Sequence, residues 1–135
     1  MSAAEDPAPS PLPPERVTGI GGLFFRSRDP EKLALWYQER LGVTTVGESY
    51  DDRPWVQQEG ETVFAPFNQD SEMIGPREHT WMVNFRVDDL EAMVAQLREA
   101  GETVEVDPER YPNGLFADLR DPEGNGIQLW QPMEP

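Results

Sequence analysis

One string of residues occurs twice in this chain, sixty positions apart and without a gap. Phe25-Arg26 returns as Phe85-Arg86, Asp29 as Asp89, Glu31 as Glu91, and Leu33 as Met93. A repeat of this period points to a tandem of one supersecondary unit. About 60 residues bury too little surface to be stable alone, so the two copies must share a core. With 135 residues in all, the chain has room for that pair and for no second domain.

Each copy reads strand, helix, strand, strand, strand. In the first, Ile20, Leu23, Phe24 and Phe25 mark a strand, and Asp29-Pro30 supplies an N-cap with proline at the first helical position. Leu33, Trp36, Tyr37 and Leu41 fall on one face of that helix and read as core, and Gly42 suits the left-handed position that ends it. Short strands are predicted around residues 44–46, 55–58 and 62–67, separated by the turns Asp51-Asp52-Arg53-Pro54 and Glu59-Gly60. In the second copy, residues 81–87 alternate, with Val83, Phe85 and Val87 on one side and Met82, Asn84 and Arg86 on the other. Asp88 with Glu91 forms a capping box, and Leu90, Met93, Val94 and Leu97 stripe a helix that ends at Gly101. Strands follow near residues 103–106, 115–119 and 127–130, the last after the turn Asp121-Pro122-Glu123-Gly124-Asn125-Gly126. The pattern therefore divides into module one (17–68), a linker (69–79) and module two (80–133). Residues 1–16, with Pro7, Pro9, Pro11, Pro13 and Pro14 and almost no large apolar residue, read as a disordered or polyproline arm.

Charge narrows the partners. Acids outnumber bases 26 to 11, a formal net charge of -15, which repels phosphate backbones and anionic membranes and argues against nucleic-acid binding. The absence of cysteine removes disulfides, thiolate metal sites and Cys nucleophiles, and the single histidine, His79, excludes a two-His or three-His metal centre within one chain. No window approaches the roughly 18 apolar residues of a spanning helix and no signal-peptide pattern opens the chain, so a cytoplasmic location is expected.

Strand alternation places Phe24, Arg26, Phe64, Met82, Asn84, Arg86, Phe116, Asp118, Gln128 and Trp130 on the face away from the helices, an aromatic-walled cleft with a few polar groups. Asp118 there is a candidate general base and Arg86 a candidate for orienting a carboxylate or an enolate oxygen; alternatively the two pair with each other. Tyr111 and Arg110 lie in the loop 107–114, either as a lid or as exposed loop packing.

The strings Phe85-Arg86-Val87-Asp88-Asp89-Leu90 and Asp121-Pro122-Glu123-Gly124-Asn125-Gly126-Ile127-Gln128-Leu129-Trp130, doubled in outline, resemble the vicinal oxygen chelate superfamily of glyoxalases, bleomycin-resistance proteins and extradiol dioxygenases. The resemblance covers about residues 17–133 and implies an α+β fold of two tandem βαβββ modules forming a cup-shaped mixed sheet. It also implies that metal ligands would stand at Gly22, Phe64, Met82 and Gln128. Of these only Gln128 offers a hard oxygen, and one neutral amide does not offset the dehydration of a divalent ion, so no cofactor is expected and a divalent metal is disfavoured. Three readings follow: a small-organic-molecule binding protein without the usual metal; a drug-sequestering protein of the bleomycin-resistance kind; or a glyoxalase-type lyase or isomerase, metal-dependent if other residues fill the slots. The charge of -15 favours a cationic ligand, while Arg26 and Arg86 inside the cup would oppose one. The superfamily resemblance further implies a homodimer.

Overall fold

The second copy forms the sheet that the alternation demands. The computed structural model describes residues 11–45, 49–51 and 53–133. Residues 1–10 of the expected arm, Val46 of a first-copy strand and Asp52 of a turn lie outside the described residues; residues 11–16 are exposed and outside any helix or strand. In chain order the elements are α1 (Pro30–Leu41), a 3-10 turn (Glu72–Ile74), β1 (Val83–Arg86), α2 (Leu90–Glu99), β2 (Glu105–Val106), β3 (Gly114–Arg120) and β4 (Gly126–Pro132). The four strands lie in the order β1-β4-β3-β2, with β1 parallel to β4 and the other pairs antiparallel. That is one complete βαβββ unit in an α+β fold.

The helices start where the offset of sixty places their caps. Asp29 accepts from Lys32 N at 3.2 Å, with Pro30 at the first turn, and Gly42 ends α1 at φ 72°. For α2 the cap is Asp89, accepting from Ala92 N at 3.0 Å, and not Asp88 of the expected capping box. The repeat gives the better register because Asp89 is the counterpart of Asp29.

Leu33 and Tyr37 of α1 and Leu90, Val94 and Leu97 of α2 are buried with Ala117, Leu119, Ile127 and Leu129 of β3 and β4 in one core. Trp36 is only partly buried, its indole N–H reaching Glu102 Oε1 at 3.1 Å. Both helices therefore cover the same sheet face and leave the other open. The first copy is tied in by the turn after β3. Asp121, 4% exposed, accepts Tyr37 Oη at 2.7 Å and Asn125 Nδ2 at 2.7 Å on one oxygen, and the backbone N–H groups of Glu123 and Asn125 on the other. Burial and the bond to Asp121 raise the Tyr37 hydroxyl well above the ordinary phenol range. Glu123 accepts Ser27 Oγ at 2.6 Å and Arg28 N at 2.7 Å, and these bonds hold its carboxyl below the ordinary value. Glu123 thus adds stability above the unfolded carboxyl range, lost as pH falls through its lowered value.

Four expected strands of the first copy do not form: none of the described residues in 17–68 belongs to a strand. Alternation makes a segment capable of pairing, but a strand exists only with a partner for its backbone groups. Val56, Val63 and Phe64 are 83%, 71% and 86% exposed, so neither side of their alternation is covered within one chain. Among the aromatic residues of these segments Phe25 and Trp55 are packed, Phe25 edge-on against Tyr37 and beside Trp81, Trp55 edge-on against Phe85.

Candidate functional site

The open face of the sheet is a grid fixed by strand register. One row runs Glu105, Asp118, Gln128, Asn84 across β2, β3, β4 and β1; the next runs Phe116, Trp130, Arg86 across β3, β4 and β1. Directly registered residues share a face, so the parity predicted for Asn84, Arg86, Phe116, Asp118, Gln128 and Trp130 is the observed one.

The aromatic row makes a platform. Phe116 and Trp130 lie parallel, 4° apart with ring centroids at 6.3 Å, and Tyr111 stands edge-on to Phe116 at 5.8 Å. Trp130 is its floor: it is buried, and its indole N–H donates to the Asn113 carbonyl at 2.8 Å. Tyr111 is fixed by donating to Asp107 Oδ2 at 2.8 Å, which, ahead of a smaller burial effect, pushes its phenol up to about 12. The loop residue is thus packed onto the platform, and Arg110 beside it is exposed.

The polar row is acidic at one end and neutral at the other. Asn84 Nδ2 donates to Gln128 Oε1 at 2.8 Å, so these two amides satisfy each other. Burial first, and then the charges of Glu105 and Asp107, raise the Asp118 carboxyl above its ordinary value. Glu105 and Asp107 were not singled out by sequence, although the alternation that located Asp118 extends to them. The expected Arg86–Asp118 pair does not form. β4 separates their strands, and Arg86 Nη2 donates instead to the Gln58 carbonyl at 3.0 Å, its guanidinium lying against Gly60, where no Cβ intervenes.

The first copy's predicted site residues divide. Phe64 and Phe24, 86% and 94% exposed, line the concavity above the sheet, and Met82 is half-buried on its floor beside Gly126. Arg26 does not line that concavity; it borders an adjoining groove with Arg28 and with His79, which lines both. The main concavity has a volume of about 2640 Å³, beyond the roughly 300–1,000 Å³ of closed ligand pockets, because the first-copy segments stand open.

The four slots do not fit a divalent ion. Gly22 has no donor, Phe64 is apolar, Met82 is a soft thioether, and the Gln128 amide oxygen is engaged by Asn84. Among the described residues no three His, Cys, Asp or Glu side chains converge as a metal site would require.

An α+β unit with a βαβββ sheet, helices on one face and an open cup on the other matches the family description Glyoxalase/Bleomycin resistance protein/Dioxygenase superfamily over residues 19–129. The chain belongs to that superfamily. Among solved structures it is similar to a glyoxalase/bleomycin resistance protein from Streptomyces sp. CB03234, with 38% identity over 37% of this chain and 45% of that chain and a TM-score of 0.33. It is also similar to TnmS3, an antibiotic binding protein from Streptomyces sp. CB03234, with 25% identity over 78% of this chain and 88% of that chain and a TM-score of 0.47. None of the curated proteins compared with the chain matches it. No helix among the described residues is long and apolar enough to cross a membrane.

Proposed function

We propose that the protein binds a planar, aromatic, positively charged small molecule in the cup, and that it does so without a metal, as a sequestering protein rather than an enzyme. The observation that carries this reading is the set of carboxylates beside the aromatic platform. Glu105 and Asp107 lie beside Asp118, whose carboxyl is raised first by burial and then by their charges, so a bound cation would offset negative charge there, while Phe116 and Tyr111, backed by the buried Trp130, supply an aromatic surface. Of the two arginines expected to oppose a cation, Arg26 borders the other groove, while Arg86 keeps its charge but sits on β1, across β4 from the carboxylates, with its guanidinium donating to Gln58.

The test is calorimetric titration with 9-aminoacridine, a planar cation, against acridine-9-carboxylate, an anion on the same ring system. The cation is expected to bind at least tenfold more tightly, its affinity rising with pH as Asp118 ionises and falling with salt. Asp118→Asn is expected to weaken it about tenfold, a loss of about 1.4 kcal/mol. Asp118 itself favours the folded state below the unfolded carboxyl range and loses that contribution as pH rises through its raised value. At neutral pH the same variant should therefore be slightly more stable, by under about 1 kcal/mol, since solvent screens the cluster. Tighter binding of the anion, or an Asp118→Asn variant that binds the cation as well as the parent, overturns the proposal.

The cup is proposed to close in a cytoplasmic homodimer. Phe24, Val56, Val63 and Phe64 line the concavity yet are 71–94% exposed in one chain, more apolar surface than a soluble monomer ordinarily leaves in one place. Light scattering at tens of micromolar is expected to return twice 15.3 kDa. A monomeric mass would remove this part of the proposal.

A further inference from the structure

The second groove adjoins the cup, sharing Ser27 and His79 with its lining, and its charge is opposite. It has a volume of about 310 Å³ and is lined by Arg26, Ser27, Arg28, His79, Glu123 and Asn125. The segment bearing the two arginines is held in place from below: Ser27 Oγ and Arg28 N both donate to Glu123, one to each carboxylate oxygen. Asn125 is likewise spent, donating its amide to Asp121. Glu123 therefore serves as a clamp on the backbone with both of its oxygens engaged.

The groove's cationic side chains form no hydrogen bond or ion pair among the described residues, with the Arg28 charge adding a small part to what holds the Glu123 carboxyl low. Among the described residues the ion pair formed within 4 Å is Arg77 with Asp70, and neither Arg26 nor Arg28 takes part in one. The His79 imidazole makes no hydrogen bond among the described residues, its backbone N–H alone reaching the Pro76 carbonyl at 2.9 Å; a Cβ added at Gly124 would lie 3.9 Å from its Cε1. In a chain with 26 acids and 11 basic residues, two guanidinium groups and the one imidazole border a groove that holds a single carboxylate. Asp29 beside Arg28 is committed to capping α1, and Glu78 beside His79 is exposed. The net charge of -15 acts at longer range and is screened beyond roughly 8 Å at physiological ionic strength, so the local excess of positive charge decides what enters.

We propose that this groove is an oxyanion-binding site, taking a phosphate or carboxylate group through the guanidinium forks of Arg26 and Arg28, with His79 at its edge. Guanidinium groups match both oxyanions in a bidentate geometry, and the volume suits one such group or the anionic end of a small molecule. The site is independent of the cation reading of the cup.

His79 is the chain's only histidine, so its Cε1–H resonance is an unambiguous reporter in proton–carbon NMR spectra. Sodium phosphate and sodium acetate are titrated into the full chain at constant pH, each against sodium chloride at matched ionic strength. A saturable shift with phosphate or acetate, with a dissociation constant on the order of 1 mM, is the expected result. The Arg26→Gln/Arg28→Gln double variant should weaken it at least tenfold with an unchanged melting temperature, since both side chains are exposed. Linear shifts with both anions equal to those with chloride overturn the proposal. So does a saturable shift that the double variant leaves intact, which would place the anion elsewhere.

Discussion

Asp121→Ala is expected to remove a large share of the stability of the fold. The Asp121 carboxylate is buried and takes four donors, one from α1, one from the Asn125 side chain and two from the turn backbone. Alanine removes all four acceptor contacts and leaves their donors without this partner. Each unsatisfied buried donor costs about 1–3 kcal/mol, reduced where water can reach it. Glu123 and Asn125 are half-buried, so part of the loss is recovered, and a net cost of about 3–5 kcal/mol remains. Against the roughly 5–15 kcal/mol that stabilises a domain this is a large share. Urea denaturation measures it. Tyr37→Phe provides the comparison: it removes one donor, keeps the ring in the core, and should cost only about 0.5–1.5 kcal/mol. If Asp121→Ala costs no more than Tyr37→Phe, the turn is not what ties the first copy to the second.

That turn explains much of what was legible in the sequence. In Asp121-Pro122-Glu123-Gly124-Asn125, Asp121 and Asn125 bond to each other and to the turn backbone, and Glu123 reaches across to residues 27 and 28. A string so dense in mutually bonded polar residues can be recognised because each position has a separate physical task. Strand parity in the second copy was legible for a related reason: Ala117, Leu119, Ile127 and Leu129 are buried on one side of the sheet, so a slip of one residue would expose them all. The first-copy strands lacked that constraint. Thr62, Val63, Phe64 and Phe67 are the β-branched and aromatic residues a strand favours, but composition says nothing about whether a pairing edge is within reach. In the site, Asp118 was found because β3 is long and regular; Val104-Glu105-Val106-Asp107 also alternates, but β2 pairs over only two residues and Asp107 lies just beyond it, which the pattern alone does not show. The destination of Arg86 was not readable at all, since its partner is a backbone carbonyl 28 residues away in sequence.

Gly114→Ala should damage the fold and the cup together. Gly114 is buried at φ 140°, where an L side chain is strained by about 1–3 kcal/mol. The added Cβ would also lie 2.6 Å from Trp130 Nε1 and against the Gln131 carbonyl. Backbone cannot yield there, because Gly114 is in register with Pro132 on β4 and bonds Tyr111 on its other side. The indole must therefore move, losing its bond to Asn113 and its parallel placement on Phe116. Overpacking of this kind costs about 1–3 kcal/mol, so with the strain the total is about 2–6 kcal/mol. Gly124→Ala separates the two causes: its φ is 86°, but its added Cβ meets nothing closer than His79 Cε1 at 3.9 Å, so it carries the strain alone. Gly114→Ala should be the less stable of the two in thermal unfolding. Its tryptophan fluorescence should shift while that of Gly124→Ala does not, and 9-aminoacridine should bind it at least tenfold more weakly at a temperature where it is still folded. An unshifted spectrum would mean that the Phe116–Trp130 pair does not depend on a bare backbone at position 114, and a shifted spectrum with unchanged binding would mean that the aromatic platform is not what holds the ligand.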